Sequence, residues 1–273
     1  MARRAFSNSN PALSDAAFER IAETEAGWAA NTQQRVQEDY AAPPTTRTDT
    51  MTVNGTVWAT AALLVLVVGA GIYGWQQVDT TQENPTLPGW IFPIALVAFG
   101  VAMVTCFKPN LARFTAPIYA LLEGVFLGAI SGLYNERFNG IAYQAVALTI
   151  GVFAVMLFLY ATRIIKVTEK LRMGIIAATG AVCLVYIANM IFSLFGADLP
   201  FLHDTGAIGI AISLAIVGVA AFNLLLDFDF VERGVAAGAP AKIEWYAAFG
   251  LLVTIVWLYL ELLRLLAILQ GRD

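Results

Sequence analysis

TGAIGIAISLAIVGVAAFNLLLD, residues 205–227, is the stretch on which the fold turns. No charge appears in it before Asp227. As a helix it would rise about 33 Å at 1.5 Å per residue, enough to cross a hydrocarbon core of about 30 Å. Similar runs recur on both sides. Seven are expected to be transmembrane helices: Val53–Trp75, Gly89–Phe107, Ala112–Tyr134, Gly140–Thr162, Leu171–Gly196, Thr205–Asp227 and Glu244–Leu269. The reading is an all-α polytopic membrane protein with two parts. Residues 1–52 form a mostly disordered cytoplasmic tail, and residues 53–270 form a seven-helix transmembrane domain.

Composition agrees. Hydrophobic residues make up 59% of the 273-residue chain and charged residues 13%, about half the globular norm of roughly 25% charged. Twelve of the sixteen basic and twenty acidic side chains lie in the first 52 residues. The rest of the chain is too apolar to cover a soluble surface. A net charge of −4 with no basic stripe excludes a nucleic-acid binder. Cys106 and Cys183 sit in apolar runs, which excludes a disulfide scaffold. The tail is rich in Ala, Ser, Thr, Asn and Gln, with a short helix expected within Pro11–Ala30 and Ser14 as its cap. It has too little apolar surface to offset the entropy of ordering. Arg3 and Arg4 precede polar residues rather than a signal-peptide core.

Basic residues in short connections set orientation. The connections after the second, fourth and sixth runs hold Lys108, Arg113, Arg163, Lys166, Lys170, Arg172, Arg233 and Lys242, against Arg137 alone in the others. The N-terminus is therefore expected inside and the C-terminus outside the cell membrane, with Arg272 the one dissent. Gly124 and Gly128 form a Gly-x-x-x-Gly suited to close packing in lipid.

A charge near the bilayer centre costs about 2.5–3.5 kcal/mol on insertion scales. Glu123, Asp227, Glu244 and Glu261 fall at such positions, with Asp229 just beyond. Arg264 is one turn after Glu261, so an i,i+3 pair can neutralise both. Glu123 has no base near it in sequence. Asp227 and Asp229 close the sixth run on the basic side, where Lys108, Arg113 or Arg233 is a candidate partner. They form either a solvated helix end or a carboxylate cluster that binds a cation or titrates. Asp227 is the candidate calcium ligand. Glu244 opens the seventh run, where an acid complements the helix dipole. Asn189 and Asn223 suit interhelical hydrogen bonds.

Enzymes fare poorly. His203, the only histidine, is placed on an outer loop, which leaves no histidine metal cluster and no buried Ser–His dyad. Ala129-Ile130-Ser131-Gly132 faintly resembles a rhomboid serine motif without its partner histidine. No Gly-x-Gly-Asp motif of intramembrane aspartyl proteases appears. Lys242 lies only at the entrance of the seventh run, where a retinal protein needs a buried lysine. A non-enzyme is expected, with no cofactor.

Three stretches carry a family likeness: KPNLAR at 108–113 running into IYALLEGVFLG at 118–128, NLLLDFDFV at 223–231, and EWYAAFGL at 244–251 with WLYLELLRLL at 257–266. They resemble the Bax-inhibitor family, also called the transmembrane Bax inhibitor motif family, in a bacterial branch with a long tail. The likeness covers about residues 53–270. It implies a central seventh helix wrapped by six others and a pH-sensitive calcium leak governed by two aspartates near the cytoplasmic side. Asp227 matches the first. Aligned through Glu244 and Arg264, the second falls on Thr254 or Ile255. Aligned through Leu258-Tyr259-Leu260, it falls on Glu261 but needs a longer insertion, so the first register is favoured. A basic residue closing the second helix belongs to the latch in some members, and Lys108 matches it.

The expected function is thus a cation-permeable, proton-sensitive calcium leak. Asp227 is its gate, paired with Lys108 when closed. Asp229 attracts cations, Glu123 lines the route, and Glu261 with Arg264 guards the outer half. The alternative is a non-conducting scaffold whose tail grips membrane proteases or stress factors. A secondary transporter ranks third.

Overall fold

The computed structural model describes residues 50–80, 85–196 and 206–271. The chain divides at Asp49, and all described residues belong to the unit Thr50–Asp273. The expected tail helix, His203 and Arg272 lie outside the described residues.

Among those described there are seven α-helices: α1 (Val53–Trp75), α2 (Ile91–Phe107), α3 (Ala112–Arg137), α4 (Ile141–Ala161), α5 (Glu169–Leu194), α6 (Ala207–Ala236) and α7 (Ile243–Gln270). All but α2, which has 17 residues, are long and apolar enough to cross a membrane. Short connections reverse the chain. A single 3-10 turn, Pro109–Leu111, joins α2 to α3, and the two helices are tied by a 2.7 Å hydrogen bond from Thr105 to Thr115. After α6, Gly238 takes a left-handed φ of 64° that an L side chain would resist.

One boundary departs from expectation. The sixth helix does not end at Asp227; it continues for more than two turns to Ala236. Asp227 and Asp229 therefore sit within a helix and not at a frayed, solvated end. Hydropathy falls at the first acid, but backbone hydrogen bonding does not, so the apolar run marks where the lipid-like surface stops and not where the helix does.

Close packing of α1 on α3 explains the Gly-x-x-x-Gly. A Cβ on Gly128 would overlap the Gly71 carbonyl, and one on Gly74 would overlap the Val125 carbonyl. Gly124 faces the Val67 oxygen in the same way. In lipid, where no hydrophobic force draws helices together, such backbone proximity is what makes the contact favourable.

α7 packs against α1, α3, α4 and α6 and is buried along much of its length. Around it lie Leu224, Leu225 and Phe228 of α6 on one side, and Tyr119 and Ala120 of α3 with Leu63 of α1 on the other. Tyr119 meets Phe249 edge to face at 5.2 Å. α5 is the exception, since Ile175 is its only fully buried residue among those described.

Thr50–Thr52 clip onto the turn between α6 and α7. Met51 donates to the Ala239 carbonyl at 2.6 Å, and its buried side chain packs over Gly234. Thr52 caps α1, accepting from the Gly55 amide at 2.9 Å. Glu244 accepts from both the amide and the hydroxyl of Thr52, at 2.8 and 2.9 Å. The acid expected to complement its own helix dipole thus also serves the start of α1. Gly55 leaves the room, because a Cβ there would strike the Glu244 carboxylate.

Candidate functional site

Asp227 stands on α6 facing α7. Its carboxylate lies within hydrogen-bonding reach of the Thr254 hydroxyl, and a Cβ on Gly250, one turn before Thr254, would be 3.7 Å from Oδ1. The missing Cβ at Gly250 and the hydroxyl at Thr254 shape a small recess for the acid on one face of α7. Oδ2 is shut off from solvent and makes no hydrogen bond among the described residues. A carboxylate with one oxygen unmatched at such a depth carries a heavy desolvation cost, which a proton or a cation would relieve.

Thr254, and not an acid, stands opposite Asp227 on α7. The expected partner Lys108 is not there. It is exposed at the end of α2 and forms no ion pair among the described residues. The reason is local: the 3-10 turn follows Lys108 at once, leaving it at the rim while Asp227 lies deeper in α6.

Asp229, two residues on, points elsewhere. It accepts from Arg172 of α5 at 2.9 Å and from Arg233, one turn along α6, at 2.8 Å. Arg172 also reaches Glu169 at 3.1 Å. Nearby, Glu232 is bound by both Tyr160 and Arg163. Arg163 adopts a left-handed φ of 59° and stacks over the Tyr160 ring at 5.7 Å; bonding to Glu232 raises its pKa above the usual guanidinium value. This end of the bundle is therefore an alternating network of bases and acids. Asp229 contributes to it as a neutralised member, not as a free cation attractor.

Glu261 lies two turns beyond Thr254 on α7 and is only 4% exposed. Tyr186 of α5 donates to its Oε1, and Trp257, one turn before it on α7, lies beside it. Arg264 approaches Oε2 at 3.7 Å and donates to the Tyr186 hydroxyl at 2.8 Å. The expected i,i+3 pair is present, with Tyr186 as an added bridge. These groups edge a cavity of about 360 Å³. With a guanidinium beside its single carboxylate, this site is poorly suited to a divalent cation, which wants several oxygens.

Glu123 is half-buried midway along α3, and no base reaches it among the described residues. It is on a different helix from the other acids and is not joined to them. Among the described residues no three His, Cys, Asp or Glu side chains gather as a metal-ligand set. A larger cavity of about 660 Å³ between α1, α3, α4 and α7 is almost wholly apolar; Ser131 and Tyr259, 2.6 Å apart, are among its few polar groups.

Tyr160, Arg163, Arg172, Glu232 and Tyr186 escaped the reading of charges as helix interiors and pairs. One signal pointed to two of them. Arg172 and Tyr186 are fourteen residues apart, four turns on one helix face, with Thr179 midway.

No curated protein matches the chain. A family model described as Bax inhibitor 1 like matches residues 10–271. The match corrects the expectation that the tail lies outside the likeness, since it takes in residues 10–52 as well. With the apolar helices and the acid-bearing α6 and α7 in place, this chain is a membrane protein that belongs to the Bax inhibitor 1 like family.

Proposed function

We propose that the protein is a slow, proton-sensitive leak for calcium or other cations, with Asp227 as its gate. The observation that carries this reading is the Asp227 carboxylate, held by Thr254 on one side and unmatched at Oδ2. Ionised, it offers an oxygen to a passing cation. Protonated, it loses that charge and becomes a donor, so acidification changes its pairing and the helix contact it makes. α2 completes seven spans in this reading. Its 17 residues rise about 25 Å, at the lower limit for a crossing. The basic residues put the Thr52 end of α1 in the cytoplasm and the end of α7 outside. The protein acts as no enzyme and needs no cofactor.

The test is calcium efflux from loaded liposomes at pH 6 and pH 8. Asp227→Asn should alter both the leak and its pH response. A variant that matches the parent in both refutes the assignment.

A second reading is a scaffold that conducts nothing and holds membrane proteases or stress factors through its tail. It draws on the family match that begins at residue 10 and on the clip that fastens Met51 and Thr52 to the α6–α7 turn. Deleting residues 1–49 separates the two. Unchanged efflux after deletion favours the leak, and a full-length protein that never conducts favours the scaffold.

A further inference from the structure

α5 is attached to the bundle in an unusual way. Its outward side carries Met173, Ile176, Leu184, Ile187 and Met190, all exposed to what would be lipid. Its inward side is fastened by polar rungs at a spacing of seven residues. Arg172 bonds Asp229 at 2.9 Å, Thr179 accepts from Asn223 at 2.7 Å, and Tyr186 bonds Glu261 and Arg264. From Arg172 to Tyr186 the helix rises about 21 Å, two-thirds of a hydrocarbon core of about 30 Å.

The end rungs are also incompletely satisfied. Arg172 Nε and Glu261 Oε2 are buried and make no hydrogen bond among the described residues. The latter belongs to a nearly fully buried side chain facing the 360 Å³ cavity. On α6, Asn223 lies one turn from Asp227, so the middle rung stands beside the gate carboxylate. Between helices in lipid there is no hydrophobic force to overcome on separation. With Ile175 its one buried residue among those described, α5 is retained by its polar contacts and a thin apolar face, and parting it from α6 and α7 exposes a row of groups that water and ions can solvate.

We propose that the ion route runs along this seam, between α5 and the α6–α7 pair, with α5 as its movable wall. This rests on the leak reading above and names its path, which leaves Glu123 on α3 outside it. As the rungs part, Asp229 would be released from Arg172, and cations would pass it, then Asn223 beside the Asp227 gate one turn away on α6, and then Glu261.

Accessibility tests the path apart from the flux. In a Cys106→Ser/Cys183→Ser background, Asn223→Cys and Thr179→Cys are exposed in liposomes to a water-soluble, cationic methanethiosulfonate. Leu184→Cys, on the lipid side of α5, is the reference, and size-exclusion elution checks folding. Thiolates react only where water reaches them, so the seam cysteines should react at least about tenfold faster than Leu184→Cys. Modification should then block calcium efflux. Seam cysteines no faster than the reference overturn the proposal, as does full modification with unchanged efflux. Fast modification in a parent that releases no calcium sinks the leak reading while upholding a hydrated seam. Two independent walls keep the outcome decisive if one variant misfolds.

Discussion

Replacing Gly124 by alanine should separate α1 from α3. A Cβ at this position would lie 2.5 Å from the Val67 carbonyl oxygen and 2.9 Å from both Val67 Cα and Ala70 Cβ. Ordinary carbon contacts are about 3.5–4.0 Å, so the helices must part by roughly 1 Å. A gap of that size forfeits a quarter to a half of each contact's dispersion energy, and dispersion is the main attraction between helices in lipid. Two of the three obstructing atoms are backbone and cannot rotate away. The cost should therefore fall in the upper part of the overpacking range, about 2–3 kcal/mol. For a chain of this size that lowers the melting temperature by about 4–12 °C. Gly69, on α1, has nothing within 4 Å of its added Cβ; Gly69→Ala should be neutral or gain up to about 1 kcal/mol in helix propensity. Thermal unfolding followed by size exclusion in one detergent measures both. Equal melting temperatures for Gly124→Ala and Gly69→Ala would mean that the close α1–α3 approach at Gly124 does not stabilise the bundle.

Three further outcomes are expected. Thr254→Val keeps the shape but strips Asp227 of its hydroxyl partner and should cost about 1.5–3 kcal/mol, the range for hydrogen bonds to charged groups; Thr254→Ser should recover most of it in the same melting assay. Glu244→Ala leaves the Thr52 amide and hydroxyl without their acceptor and should cost about 0.5–2 kcal/mol, as lost caps do. Gly55→Ala displaces that same carboxylate, so the double variant should melt no lower than the worse single one. Lys108→Ala should leave calcium efflux and its pH response unaltered, because Lys108 is exposed and does not reach Asp227; a changed pH response would show that it does.

Runs of apolar residues are local sums, and they were legible. The first helix is expected at Val53–Trp75 and found there. Expected as an internal pair, Glu261 and Arg264 are neighbours by helix periodicity alone and lie 3.7 Å apart. Partners on other helices are less accessible. Asp227 is recognisable as an acid closing an apolar run, but its contact with Thr254, 27 positions on and on another helix, is not local to either residue. The replacement of Lys108 by a hydroxyl as its neighbour depends on how deep each helix sits. Tyr186 is easily passed over because a tyrosine in an apolar run carries no charge to flag it. Thr52 and Glu244 are 192 positions apart, and nothing local to either announces the other.

Apolar runs alone mark a membrane-embedded helical protein, place each helix start to within about two residues, and single out the few acids that need a partner. Those follow from burial energy per residue and the length of a helix against the thickness of lipid. Packing settles what the apolar pattern leaves open: α6 carries Asp227 and Asp229 inside the helix, with one facing Thr254 and the other Arg172. Direction around a helix changes by about 100° per residue. Two acids two positions apart therefore serve different neighbours, and only the packing of α5 and α7 names them.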